Sequence, residues 1–121
     1  MDGEAPELRA LASYYAAQGG ALWIADEGEG MIATRPVTAT LWEICRVYAL
    51  PARHGSGLGA ALLAYAERHA AAAGADAFEL WTDTRFTRAH AFYAKQGYRQ
   101  TGESRALHDI AATIEDRYVK P

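Results

Sequence analysis

Apolar residues at helical spacing open the chain. Leu8, Leu11, Ala12 and Tyr15 lie along one face and predict a helix over residues 6–18, with Pro6 in its first turn and Gly19-Gly20 as its stop. The pattern then tightens into short apolar runs. Residues 21–25 and 31–35 read as two strands of a hairpin about a turn at 27–30, and a connection at 36–40 leads into a third, longer strand over 41–50. Three strands joined by short turns imply an antiparallel meander. A loop over 51–56 follows. Leu58, Leu62, Tyr65 and His69 then mark one face of an alanine-rich helix reaching residue 73, with Gly74 placed to cap it. A strand at 77–82, a short helix at 86–96 capped by Gly97, and two strands at 98–101 and 112–119 complete the order. With neither internal repeat nor linker, the pattern predicts a mixed α/β fold in which helices flank a mostly antiparallel sheet.

At 121 residues, half of them hydrophobic, the chain has enough apolar surface for one core, and a single domain over 1–121 is expected. The formal net charge of -3, without clustered Lys and Arg, argues against nucleic acid as a partner. The lone cysteine, Cys45, cannot form an internal disulfide. The acidic first residues lack an apolar signal region, and no apolar run approaches membrane-spanning length. A cytoplasmic protein with no membrane partner is the expectation.

The most informative stretch is Arg53-His54-Gly55-Ser56-Gly57-Leu58-Gly59-Ala60, between a predicted strand and a helix start. Alternating glycines let backbone approach a ligand closely, and the first helical N–H groups, at the positive end of the helix dipole, suit a diphosphate. A plain strand-to-helix turn would also use glycines. The spacing Gly55-x-Gly57-x-x-Ala60 with Asp76 downstream satisfies a dinucleotide fingerprint as well, but that fold needs its glycine loop after the first strand of a parallel unit. Three antiparallel strands precede it here, so the dinucleotide reading loses on context.

Two motifs together resemble the GNAT superfamily of N-acetyltransferases. Its glycine loop, Gln/Arg-x-x-Gly-x-Gly/Ala after a strand ending in Tyr-Val-x-Pro, is matched by Val47-Tyr48-Ala49-Leu50-Pro51 and then His54 to Gly59. Its second signature, Asn-x-x-Ala-x-x-Phe-Tyr-x-x-x-Gly-Phe/Tyr, is matched from Phe86 through Ala89, Phe92 and Tyr93 to Gly97-Tyr98. The resemblance implies a GNAT-like fold and acetyl-CoA as co-substrate. It also implies transfer of the acetyl group to a primary amine, of a small molecule or of a peptide, by direct attack in a ternary complex. A non-catalytic acyl-CoA-binding or regulatory module is the alternative. Three departures stand out: His54 where the family prefers Arg or Gln, Phe86 in place of Asn, and one helix before the first strand where the family usually has another strand and two helices.

By the same resemblance the central strand over 41–50 supplies a donor to the thioester, with Val47, Tyr48 and Ala49 along the cofactor. Arg53 through Ala60 take the diphosphate, and Phe86, Ala89 and Phe92 come from the second motif. Tyr93 matches the tyrosine that protonates the leaving thiolate, and a phenol is protonated at neutral pH; a core aromatic is the competing reading. Glu43, alternating onto one face with Cys45 and Val47, is the candidate base, or else a strand carboxylate facing solvent or pairing with Arg46. Asp83 and Thr84 are candidates to bind a cationic acceptor, and His90 and His108 to titrate near neutrality; for each, an ordinary surface or packing residue is the favoured reading. Cys45 lacks a Cys/His/Asp pattern for a covalent route. The four histidines and the carboxylates show no zinc-like spacing, so no metal is expected. Trp23, Trp42 and Trp81 read as sheet packing, with Trp42 facing opposite to Glu43 under a helix. Exposed sheet edges allow a homodimer.

Overall fold

A computed structural model describes residues 6–25 and 28–121, with side chains from residue 9 onward. The acidic first five residues, the Leu8 side chain and the Glu27 end of the first predicted turn lie outside the described residues. The chain divides into two compact units, one up to Asp76 and one spanning Ala77–Pro121.

The first unit contains α1 (Pro6–Ala17), β1 (Ala21–Ala25), β2 (Gly30–Pro36), β3 (Leu41–Ala49) and α2 (Leu58–Ala72). Its strands pair antiparallel in the order β1-β2-β3, the predicted meander. Residues paired across the strands share a face, so Trp23, Ile32, Thr34, Ile44 and Trp42 form one side. Helix α2 covers it with Leu58, Leu62, Leu63, Ala66 and Ala70. His69 stacks edge-on against Trp23 at 5.0 Å and against Trp42 at 6.1 Å, so Trp42 does face a helix. The opposite side carries Leu22, Ala33, Arg35, Glu43 and Cys45. There α1 supplies Tyr14 and Tyr15, and Gln18 joins them from just past its end.

Gly30 departs from its expected role. It begins β2, paired with Ala25 and Ala49, instead of closing a turn. A Cβ at Gly30 would lie 2.8 Å from Leu62 Cδ1 and 3.0 Å from Leu58 Cδ2, so the glycine admits α2 onto the sheet.

The second unit contains β4 (Ala77–Asp83), α3 (Thr87–Lys95), β5 (Arg99–Ala106) and β6 (Ile114–Lys120), with antiparallel strands in the order β4-β6-β5. Gly74 and Gly97 take positive φ just past the two helix ends, as predicted. Strand β5 runs five residues beyond its predicted end at residue 101. Its register shifts between Gln100 and Ser104, around Gly102, and then pairing with β6 resumes to Ala106. Every β5 residue is exposed, so no apolar alternation marks the strand in the sequence. The mixed α/β class and the antiparallel strand pairing follow the sequence pattern.

Candidate functional site

Strand β3 is regular to Cys45 and then takes up one extra residue. Pairing passes from Ala33↔Cys45 to Met31↔Tyr48, two residues on β2 against three on β3, and Arg46 within this bulge has φ 57. The inserted residue changes which side chains share a face. Glu43, Cys45 and Tyr48 lie on the α1 side, whereas Ala49, paired with Gly30, lies on the α2 side, and Val47 goes with it. Simple alternation groups Glu43 with Val47; the bulge separates them.

Glu43 is buried and neither faces solvent nor pairs with Arg46. Arg35 donates to its Oε1 from Nε at 3.0 Å and from a terminal nitrogen at 2.9 Å. Arg35 is itself held by Gln18 Oε1 at 2.8 Å and the Tyr14 hydroxyl at 3.3 Å. Arg46 instead donates through Nε to the buried Tyr15 hydroxyl at 3.2 Å. Arg35, Tyr15 and the bulge at Arg46 are features that sequence reasoning missed. Only alignment across strands pairs Arg35 with Glu43, since eight residues separate them along the chain. Burial, reinforced by the Glu43 charge, pushes the Cys45 thiol up to about 11. A thiol so held is neutral at physiological pH and a poor nucleophile.

The glycine loop follows β3 through a short 3-10 turn, Pro51–Arg53. Gly55 and Gly57 have φ 81 and 89, and nothing lies within 4 Å of where a Cβ on either would stand. Backbone conformation, not crowding, therefore requires glycine there. Gly57 caps α2, and the Ala61 amide donates to the Gly57 carbonyl at 3.0 Å to open the helical ladder. The Gly59 and Ala60 amides precede that first bond. The Ser56 hydroxyl donates to the Arg53 carbonyl at 2.6 Å and accepts from the Leu58 amide at 3.3 Å, bracing the loop.

The loop's polar side chains are already engaged. Arg53 pairs with Glu29 at 2.5 Å, and His54 Nε2 donates to the Ala49 carbonyl at 3.1 Å, tying the loop back to β3. Backbone amides at the positive pole of a fifteen-residue helix remain, and these fit a diphosphate.

In the second unit Tyr93 is buried on α3. Phe92, Tyr98 and Tyr118 surround its ring with centroids at 5.4, 6.1 and 6.4 Å. Burial pushes its phenol up to about 12, so it holds its proton throughout the neutral range. Phe86, at the N-cap of α3, is 59% exposed, while Ala89 and Phe92 are half-buried. His90 Nε2 donates to the Asp83 carbonyl at 2.9 Å and packs its ring on Tyr118. Asp83 is already matched. Arg85 donates to it from its side chain at 2.9 and 2.6 Å and from its backbone at 2.9 Å, holding the carboxyl down at about 2. Arg85 also reaches Thr113, which Asp109 anchors, so this carboxylate is spoken for within its own unit.

A sequence profile of the acetyltransferase (GNAT) family matches residues 3–98. The aminoalkylphosphonate N-acetyltransferase of Salmonella typhimurium is 42% identical over 59 residues, which cover 49% of this chain and 38% of that enzyme. The chain thus matches well under half the length of that relative. An acetyltransferase from Streptococcus agalactiae superposes with a TM-score of 0.78 at 25% identity, covering 94% of this chain and 74% of that one. A GNAT family acetyltransferase from Elizabethkingia anophelis, crystallised with acetyl-CoA bound, gives a TM-score of 0.71 at 19% identity over 96% and 84% of the two chains. Among the described residues no helix is long and apolar enough to cross a membrane, and no three His, Cys, Asp or Glu side chains group to hold a metal.

Proposed function

Since the chain belongs to the acetyltransferase (GNAT) family, we propose that it transfers the acetyl group of acetyl-CoA to a primary amine by direct attack. The observation that carries this reading is the glycine loop, with open, left-handed glycines at the N-terminus of α2. Amides of Gly57, Gly59 and Ala60 would take the diphosphate, with Arg53, His54 and Ser56 shaping the loop and Leu58 anchoring it to the core. Val47, Tyr48 and Ala49 would line the pantetheine arm, and the family resemblance assigns Phe86, Ala89 and Phe92 of the second motif to cofactor binding.

Acetyl-CoA, when bound, supplies the activated acetyl group. The amine nitrogen gains a bond to the acetyl carbon as the carbon–sulfur bond breaks. One proton leaves the amine, and one reaches the departing sulfur. Tyr93 is assigned the second proton, because its buried phenol stays protonated at neutral pH. Glu43 is assigned the first, directly or through water, with Arg35 fixing its orientation. Cys45 has no part in this route.

The assay is CoA thiol release in the presence of a panel of small amines, with 2-aminoethylphosphonate included on the strength of the Salmonella relative's name. Amine-dependent release is the expected result. Acetyl-CoA binding without release for any amine would identify a non-catalytic acyl-CoA-binding module instead. The site is assigned to a cytoplasmic protein, and a homodimer, on this reading, would return twice the chain mass in light scattering.

A further inference from the structure

Among the described residues, the side chains that meet on the α1-facing side of the first unit carry an unbalanced charge. Arg35 and Glu43 neutralise each other in a half-buried pair. Cys45 is a neutral thiol, and Tyr14, Tyr15 and Gln18 are uncharged. Arg46 is exposed, and among the described residues no carboxylate pairs with it. These side chains therefore sum to one positive charge, on a chain whose net charge is -3.

The guanidinium is also oriented. The bulge holds Arg46 at φ 57, a conformation that a non-glycine residue adopts at some cost and that clusters at functional positions. Its Nε donates to Tyr15, which is 3% exposed and so fixed by its surroundings. That bond uses one edge of the guanidinium and leaves both terminal nitrogens for an oxyanion, whose two oxygens they can meet in parallel. The same face carries Glu43, the group assigned to the amine's proton.

We propose that Arg46 binds an anionic group of the acceptor, so that the acceptor is a small primary amine carrying a phosphonate or carboxylate. This rests on the reading of the chain as an amine acetyltransferase. A polycationic acceptor would meet a surplus cation beside Glu43, a carboxylate that Arg35 already holds.

The test compares kcat/KM for 2-aminoethylphosphonate, β-alanine, ethanolamine and 1,3-diaminopropane in the wild type and in Arg46→Gly and Arg46→Lys. Glycine suits the left-handed backbone of the bulge, so Arg46→Gly removes the guanidinium without endangering the fold. The wild type should prefer the acidic amines. In Arg46→Gly their advantage over ethanolamine should fall about 10- to 100-fold, the range for charged hydrogen bonds. The loss should appear in the acceptor's KM and leave the KM for acetyl-CoA unmoved. Lysine should restore part of it, and the phosphonate and carboxylate arms separate a tetrahedral from a planar anion. Wild-type preference for ethanolamine or diaminopropane, or an equal loss for all four amines in Arg46→Gly, would overturn the proposal. Should no amine release CoA, the transfer reading falls. Calorimetric titration of 2-aminoethylphosphonate into the wild type and Arg46→Gly then decides the Arg46 site alone: binding lost on substitution supports it, and no wild-type binding refutes it.

Discussion

Tyr93 and Cys45 experience the same force with opposite chemical results. Burial disfavours the charged form of each, raising the phenol to about 12 and the thiol to about 11. A phenol kept neutral remains a proton donor, whereas a thiol kept neutral is disabled as a nucleophile. Tyr93→Phe keeps the ring packing against Tyr98 and Tyr118, and should lower kcat about 10- to 1000-fold, the span of general acid catalysis. Cys45→Ser should leave kcat within a few-fold, and Cys45 in the native protein should react with a disulfide reagent at about pH 8 far more slowly than after unfolding. A Cys45→Ser variant without activity that still folds would restore the covalent route. Stability carries the same signature. Because the folded phenol titrates above its unfolded value of 10.0, its contribution is complete below about pH 10 and disappears as pH rises toward 12. Urea melts at about pH 9 and pH 11.5 should therefore differ by roughly 2 kcal/mol less in Tyr93→Phe than in the wild type. An unchanged difference would place the titration on another tyrosine.

At the scale of elements, periodicity gave the helices and the three-strand meander because each buries one face, and burial leaves a repeat in the residues. What escaped detection lacks such a repeat. Strand β5 is an exposed edge strand held by backbone bonds to β6, which any side chains permit. The bulge at Arg46 inserts one residue into a mostly apolar strand and carries no glycine or proline to announce it, yet it decides that Val47 and Glu43 part company. The Arg35–Glu43 pair belongs to strand register, which the sequence encodes only through the fold. By contrast, Gly55 and Gly57 of the loop and Gly97 of the second motif were legible because left-handed backbone imposes their residue type. Gly57 tests that argument. With φ 89 and open space around the missing Cβ, a side chain there suffers from the backbone conformation and not from a clash. Gly57→Val should destabilise the protein by about 1–2 kcal/mol in urea, and should weaken acetyl-CoA binding further than stability alone accounts for. Full acetyl-CoA affinity in a folded Gly57→Val protein would remove the loop from the binding site.

For the whole molecule, a ligand that binds only the folded chain raises its stability by an amount set by concentration and affinity. The response therefore reports cofactor choice whatever the acceptor turns out to be. On the proposed reading, the loop amides alone would hold a diphosphate and would not separate acetyl-CoA from NAD, since both contain one. On the same reading, discrimination comes from Val47, Tyr48 and Ala49, whose backbone amides would pair with the pantetheine arm but would find no counterpart in a second nucleoside. Acetyl-CoA at about 100 times its dissociation constant should add about 2.7 kcal/mol, which for a chain of this size raises Tm by roughly 8–14 °C. NAD at the same concentration should leave Tm unchanged, and CoA should fall close to acetyl-CoA because the acetyl group adds little surface. Equal shifts with acetyl-CoA and NAD would mean that the loop binds diphosphates without help from β3, and the assignment of Val47 to Ala49 would fail. With neither ligand shifting Tm, the engagement of Arg53 by Glu29 and of His54 by the Ala49 carbonyl would be the cause to test, because both tie up side chains that could otherwise help the loop amides hold a diphosphate.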